Sequence, residues 1–518
     1  MKNDKNILLK NALTVSMGGF IAKVLGAVYR IPLTNILGSE GMGLYQMVFP
    51  LYCVLLTISS TGLPSSISKI ISEGNSAETV LKKSKSFFGL IGFFGTLFMC
   101  AFSVFIARLQ GNVNAWGGYV ALAPAVFFVS LISCLRGYFQ GNGNMRPTAT
   151  SQVVEQVIKL VLGLAFSLMF KENMLLSVTM SVAAVSVSEA VAFIYLSIEK
   201  NKFVARNLDE NKLFTPVDND DFAEPISTTN EKITLDGETE TTELITPDGE
   251  MEAIVDNAND GEIIATVNDV IDGKILLHEK SKNAISIKRL IAVVFPVTLT
   301  SILIPLSRVL DSFLSINIIS TYSSQATKLY GLYSGGVESI IGVPVSICYG
   351  IPVALIPLMS SAFKKGDTKM SKKIAKSAIL YTFILSCAFA AGVAVFSSLA
   401  VKILYFALDL QSKNTLIGLL KISSISIVFL SCVQTFNAIK ISENKLYLPS
   451  IFLFVGIAAK VVALLVLLPN PEINIFAVAI SDILCYFVAC FCNLGYYITE
   501  NIRRKRKIVP LKTKIETL

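Results

Sequence analysis

The sequence predicts an all-α, polytopic membrane protein of about twelve transmembrane helices in two six-helix lobes. Three observations lead to this. Hydrophobic residues make up 53% of the 518 and charged residues 16%, with a mean hydropathy of +0.62, which is too apolar for an ordinary soluble protein. A bilayer-spanning helix needs about 20 mostly apolar residues, and twelve such windows occur, at 12–37, 44–70, 86–107, 116–139, 148–170, 174–197, 289–318, 332–361, 374–405, 415–439, 447–468 and 474–498. One long acidic stretch divides these windows into two sets of six. The expected organisation is a first lobe over 1–198, a linker over 199–285, a second lobe over 286–502 and a basic tail over 503–518.

The first window carries two cations on one face. Within SMGGFIAKVLGAVYRIPLTNILGSEGMG (16–43), Ser16, Gly19, Lys23, Gly26 and Arg30 follow an i, i+3, i+7, i+10, i+14 series, one small and cationic stripe on a helix that is otherwise apolar. A charge at mid-bilayer costs roughly 2.5 to 3.5 kcal/mol, so such a stripe normally faces a protein interior or a watery cavity. The plainer alternative has Lys23 snorkelling and Arg30 lying at the headgroups. Pro32 is expected to end or bend this helix.

Charge placement orients the windows. Linkers on one side hold Lys69, Lys82, Lys83, Lys85, Arg146, Lys364, Lys365, Lys369, Lys372, Lys373, Lys440 and Lys445, against Arg108, Lys171, Lys328 and Lys413 on the other. By the positive-inside rule the Lys-rich side is cytoplasmic, as are both termini. The turn RGYFQGNGNMRP (136–147) then lies inside; Gly141 and Gly143 permit a tight turn and Pro147 suits the first turn of a helix. Arg136 and Arg146 either anchor this turn or contact anionic headgroups or a substrate pyrophosphate.

In the fifth window, TSQVVEQVIKLVLGL (150–164), Glu155 and Lys159 stand at i, i+4 in the favourable order, which favours an intrahelical pair. Lys159 is also a candidate substrate contact and Glu155 a candidate ion-coupling carboxylate. The linker from 199 to 280 has 21 acidic against 7 basic residues, a local charge of −14 within a whole-chain +8. It is expected to be a largely disordered cytoplasmic tether with a short hairpin at its Asp-Gly turns, or else a docking segment for wall-synthesis proteins.

The second half echoes the first. Gly43-Leu44-Tyr45 opens the second window and Gly331-Leu332-Tyr333 the eighth. Ser133-Cys134, a polar turn and a helix with Lys159 find a counterpart in Ser431-Cys432, a polar turn and a helix with Lys460. Such a repeat implies a substrate path at the interface of two bundles. In the seventh window, PVTLTSILIPLSRVLDSFLS (296–315), Arg308 and Asp311 lie three apart. They form either an intrahelical pair, or a cross-lobe companion for Arg30 and a coupling carboxylate. Glu338, in GGVESIIG (335–342), is a candidate Na⁺ or proton site or a partner for a nearby cation. Glu189 and Asp482 are isolated acids within windows, and Lys460 is a further candidate headgroup contact.

Several functions are excluded on residue grounds. His278 is the only histidine, which removes multi-His metal sites and imidazole-based triads. No GxxxxGK[ST] motif is present, the nine cysteines all fall inside windows without metal-ligand spacing, and the first window lacks a small-x-small cleavage pattern. The chain is expected to be neither an enzyme nor a nucleic-acid binder, to need no cofactor, and to carry no cleaved signal peptide.

KVLGAVYRIPLTNILGSEGMGLY (23–45) and LRGYFQGNGNMRPTATSQVVEQVIK (135–159) resemble the stage V sporulation protein B branch of the polysaccharide exporters. That branch belongs to the superfamily of lipid II flippases, O-antigen-type flippases and multidrug and toxin extrusion antiporters. The resemblance covers the membrane part and not the acidic linker. It implies two lobes around a V-shaped cavity and alternating access that moves an undecaprenyl-pyrophosphate-linked saccharide for peptidoglycan or spore-cortex synthesis. It also implies cavity cations at Lys23 and Arg30, with Arg308 added from the other lobe. A third arginine expected near the start of the eighth helix is replaced by Glu338 and Ser339. The partners implied are the lipid-linked substrate and membrane lipids in the bacterial plasma membrane, with coupling to the membrane potential, Na⁺ or H⁺ open. A cation-coupled drug exporter and a non-transporting scaffold for wall synthesis are the competing readings.

Overall fold

The computed structural model describes the backbone at residues 2–60, 63–72, 74–212, 241–245, 251–255, 263–266, 287–364, 367–443, 445 and 447–515; some side chains within these helices, including those of residues 2–20 and Lys23, lie outside the described residues. The chain divides into two compact units, one formed by Met1–Val204 with Lys288–Leu518 and the other by Ala205–Ile287. The smaller unit contains a three-stranded antiparallel meander of β1 (Thr241–Ile245), β2 (Met251–Val255) and β3 (Ile263–Thr266). Thr241 pairs with Val255, and Val255 with Ile263. The sequence reading expected one short hairpin. Two antiparallel pairings occur, because all three segments carry residues that suit strands. The expected disorder of 213–240 falls outside the described residues.

The larger unit is helical throughout. Its first two windows form one long element, α1 (Lys2–Ser60), broken at Gly38, where φ is +69° and ψ 179°. Only glycine takes that backbone cheaply. The break therefore falls at Gly38 and not at Pro32, which stays inside the helix because proline's own φ is helical and it forfeits a single hydrogen bond. Next come α2 (Leu63–Ser72), α3 (Ala77–Ala101), α4 (Ser103–Leu109), α5 (Trp116–Gly141), α6 (Arg146–Met169) and α7 (Met174–Lys212). The turn before α6 has Gly143 at φ +73° and Pro147 in the first turn of the helix. Gly141 instead closes α5, where a Cβ would stand 2.8 Å from that of Ile71, so its role is packing rather than turning.

The second set runs α8 (Ile287–Ile319), α9 (Ala326–Gly331), a π-helical turn (Leu332–Val337), α10 (Glu338–Cys348), α11 (Gly350–Lys364), α12 (Thr368–Leu404), α13 (Leu410–Ser442), α14 (Leu448–Leu467) and α15 (Phe476–Ile515). Among the described residues, ten segments are long and apolar enough to cross a membrane. With the two arms of α1 they match the twelve windows. The protein is a multi-pass membrane protein.

Within the first lobe α3 packs on α5 and α1 on α6; within the second, α12 packs on α13 and α14 on α15. The lobes meet along a seam at the end of the bundle where α1 kinks. There the repeated Gly-Leu-Tyr motifs touch: a methyl on Gly331 would stand 2.9 Å from Cα of Gly43, and one on Gly43 would stand 2.9 Å from the carbonyl carbon of Thr327. Glycine at both positions is what lets the two backbones approach. Gln46 donates to the Ser334 carbonyl at 2.7 Å, 288 residues away, the same offset that relates the two motifs. Asn35 donates to the Leu404 carbonyl at 2.6 Å and accepts from the Ala407 amide at 3.1 Å. Asn112 reaches the Thr327 hydroxyl at 2.9 Å and Asn317 the Leu109 carbonyl at 3.0 Å. These hydrogen bonds join the lobes at this end.

Candidate functional site

Beneath the seam lies a cavity of about 460 Å³ between the lobes. The first lobe contributes Gly26, Tyr29, Arg30, Tyr45, Gln46, Phe49, Pro50 and Cys53 from α1 with Gln156 and Lys159 from α6. The second contributes Arg308 and Asp311 from α8, Tyr330 from α9, Tyr333 and Ser334 from the π turn, and Glu338, Gly342 and Ser346 from α10. Tyr45 and Tyr333, equivalent residues of the two motifs, thus face the same space. A π turn at this point, in a helix that otherwise follows the α pattern, is the kind of irregularity that often marks a functional site.

Arg30, Arg308 and Lys159 share this cavity. The side chain of Lys23 lies outside the described residues; Gly26 and Arg30, three and seven residues further along its helix, both line the cavity. Arg30 approaches Glu338 Oε2 to 3.8 Å and sits over the Phe49 ring at 5.6 Å. Arg308 hydrogen-bonds the same Glu338 oxygen. The intrahelical Arg308–Asp311 pair that the spacing allowed does not form. Asp311 is turned into the second lobe and accepts from Lys460 Nζ at 2.6 Å, while Arg308 keeps to the cavity wall opposite Glu338.

Lys460 is only 3% exposed, and its ammonium also meets Asp482 at 2.5 Å and the Ser307 hydroxyl at 3.2 Å. Tyr333 completes the group by donating to Asp482. Two carboxylates therefore share one buried cation, whose charge compensates theirs where water has little access. Sequence reasoning named these residues separately and missed the triad, because they sit on three helices with no common spacing. It missed the cavity tyrosines too, although Tyr45 and Tyr333 belong to the very repeat it identified.

The i, i+4 pair of Glu155 with Lys159 is likewise replaced. Glu155 Oε2 takes Arg136 at 3.2 Å and Oε1 takes Gln156 at 2.8 Å, and Arg136 also donates to Ser151 at 3.0 Å. Lys159 is buried, lines the cavity and makes no ion pair among the described residues. Glu189 is buried behind it and accepts from Tyr52 at 3.0 Å. Arg146 is exposed at the start of α6, apart from the cavity. Among the described residues, no group of three or more His, Cys, Asp or Glu is placed to hold a metal ion.

Residues 8–217 match the family model described as polysaccharide biosynthesis protein. Stage V sporulation protein B of Bacillus subtilis (strain 168) is 33% identical over 165 residues, 30% of this chain and 32% of that one. The lipid II flippase MurJ of the same organism is 33% identical over 172 residues, 30% and 31% of the two chains. These alignments span about a third of each relative. Over nearly full length, the fold matches the inward-facing structure of a multidrug resistance MATE family transporter of the MOP superfamily, with a TM-score of 0.65, 13% identity, and 96% and 98% of the two chains covered. The chain is thus similar to the flippases and transporters of the multidrug/oligosaccharidyl-lipid/polysaccharide (MOP) superfamily, in sequence over part of its length and in fold over nearly all of it. It shares with that fold the two-lobe arrangement, with the cavity where the lobes face each other.

Proposed function

We propose that the protein is a flippase that carries an anionic lipid-linked saccharide, an undecaprenyl-pyrophosphate-linked glycan of the lipid II kind, across the bacterial plasma membrane by alternating access. The observation that carries this reading is the charge of the interlobe cavity. Arg30, Lys159 and Arg308 line it, three cations against the two carboxylates Asp311 and Glu338, while Lys460 outside the wall is shared by Asp311 and Asp482. Positive charge is left in excess. A pyrophosphate leaving water needs such compensation; arginine grips its oxygens bidentately and lysine acts as a point charge. The prenyl tail stays in the surrounding bilayer while the headgroup occupies the cavity.

The positive-inside orientation makes the glycine seam the outer end and both termini cytoplasmic, so this conformation is closed outward. Moving an unbalanced charge is worth about 2.3 kcal/mol per 100 mV, and the membrane potential, with Na⁺ or H⁺ as coupling ion, supplies the drive. The product serves peptidoglycan or spore-cortex assembly. A cation-coupled drug exporter would need free acidic groups facing the cavity, and the carboxylates there are held by Lys460, Arg308 and Arg30.

The test is complementation in cells depleted of their lipid II flippase, with translocated precursor measured directly. Wild-type protein restores precursor on the outer leaflet. Arg30→Ala, Lys159→Ala and Arg308→Ala each lower its appearance about tenfold, the loss expected for one charge-assisted contact of about 1.5 kcal/mol. Full transport by all three variants would overturn the assignment.

A further inference from the structure

We propose that Glu338 is an internal stand-in for the anionic headgroup, a carboxylate that clasps Arg30 of one lobe and Arg308 of the other and that the substrate must displace. This rests on the flippase reading and adds a specificity-determining residue to it. One oxygen, Oε2, serves both arginines: it accepts from Arg308 Nη1 and lies 3.8 Å from Arg30 Nη1. The group is neither sealed nor free, with side-chain exposures of 16% for Glu338, 23% for Arg30 and 41% for Arg308, so a ligand in the cavity can reach it. Glu338 is also fixed in place. It opens α10 directly after the buried π turn, whose Tyr333 and Ser334 are tied to Asp482 and Gln46.

Carboxylate and phosphate oxygens bind guanidinium groups in the same planar, bidentate way. A pyrophosphate offers more oxygens and more charge than Glu338 and takes both arginines from it. A monophosphate competes less well, and a neutral headgroup does not compete. Glu338 therefore sets a threshold that selects for pyrophosphate, and while the cavity is empty it joins the lobes just below the seam. The repeat supports a special role for this position. Its counterpart at the 288-residue offset is Pro50, which also lines the cavity but carries no charge.

The experiment uses the purified full-length protein in nanodiscs, titrated with farnesyl pyrophosphate and with farnesyl monophosphate. Glu338→Gln keeps the shape and removes the charge. It should bind the pyrophosphate roughly tenfold more tightly than wild type, within the range of ordinary site-to-site coupling, and should discriminate less between the two probes. Glu338→Asp keeps the charge but withdraws it from Arg30 and should shift both readings in the same direction; if the Gln variant fails to fold, the Asp variant decides alone. Binding by wild type with no gain in the variant that decides removes the clasp and leaves the flippase reading intact. Failure of every form to bind either probe removes the anion-binding cavity and the clasp together.

Discussion

At Lys460 a single ammonium is shared by Asp311 on α8 and Asp482 on α15, at 2.6 and 2.5 Å, with almost no water access. The three helices of the second lobe that carry these residues are joined at that point. Removing one partner of a buried ion cluster typically costs about 3 to 5 kcal/mol, because the remaining charges have lost their compensation. Lys460→Met should therefore lower the thermal unfolding midpoint of the detergent-solubilised protein sharply, and Asp311→Asn added to Lys460→Met should recover part of the loss. An unchanged midpoint in the single variant would show that the triad contributes little. The individual charges were legible in the sequence as polar residues inside apolar windows. Their pairing was not: spacing suggested Arg308 with Asp311 and Glu155 with Lys159, whereas the fold joins Arg308 to Glu338, Asp311 to Lys460, and Glu155 to Arg136. Local spacing ranks only neighbours along one helix, and an oppositely charged group facing it from another helix outcompetes them when both are desolvated.

The elements that decide the conformation are the kinked α1 and the segment from α9 to α10. Both carry Gly-Leu-Tyr, and the glycines are where the two backbones meet. Gly331→Ala would place a methyl 2.9 Å from Cα of Gly43, closer than real Cβ contacts come, and the neighbouring atoms are backbone that cannot rotate away. The seam should then fail to close. Cysteines introduced for Asn35 and Ala407, whose parent residues are hydrogen-bonded across the lobes at 3.1 Å, provide the readout. Their cross-linking should be efficient in the parent and reduced several-fold by Gly331→Ala, consistent with a cost of about 1 to 3 kcal/mol for overpacking a tight contact. Equal cross-linking would mean that the seam tolerates the methyl group. That these two motifs belong to equivalent elements could be read from the sequence; that they touch could not, since a repeat does not say where its axis passes.

Over the whole molecule, two lobes joined at one end leave a cationic space between them, and the acidic insert forms a separate unit. If the insert is a tether, deleting 205–275 should leave precursor translocation within about twofold of wild type in the complementation assay. A scaffold acting through this segment would lose its function on the same deletion, even with the membrane part at normal abundance. The likeness to a MATE transporter extends over nearly the entire chain at 13% identity, which separates architecture from substrate: related folds host different cargo, and the residues lining the cavity make the difference.

Apolar runs and their number were enough to establish a helical, multi-pass membrane protein, because lipid leaves a crossing chain few alternatives to helices. Periodicity placed Arg30 on the stripe that meets the cavity, and the repeat pointed to two lobes with a site between them. Tertiary structure alone decided which charges neutralise one another, that α1 breaks at Gly38, and that Glu338 stands between two arginines from opposite lobes. Helix formation and membrane insertion depend on residues close together in the chain. Charge pairing and the shape of the cavity depend on which helices come within a few ångströms, and those contacts join positions up to several hundred residues apart.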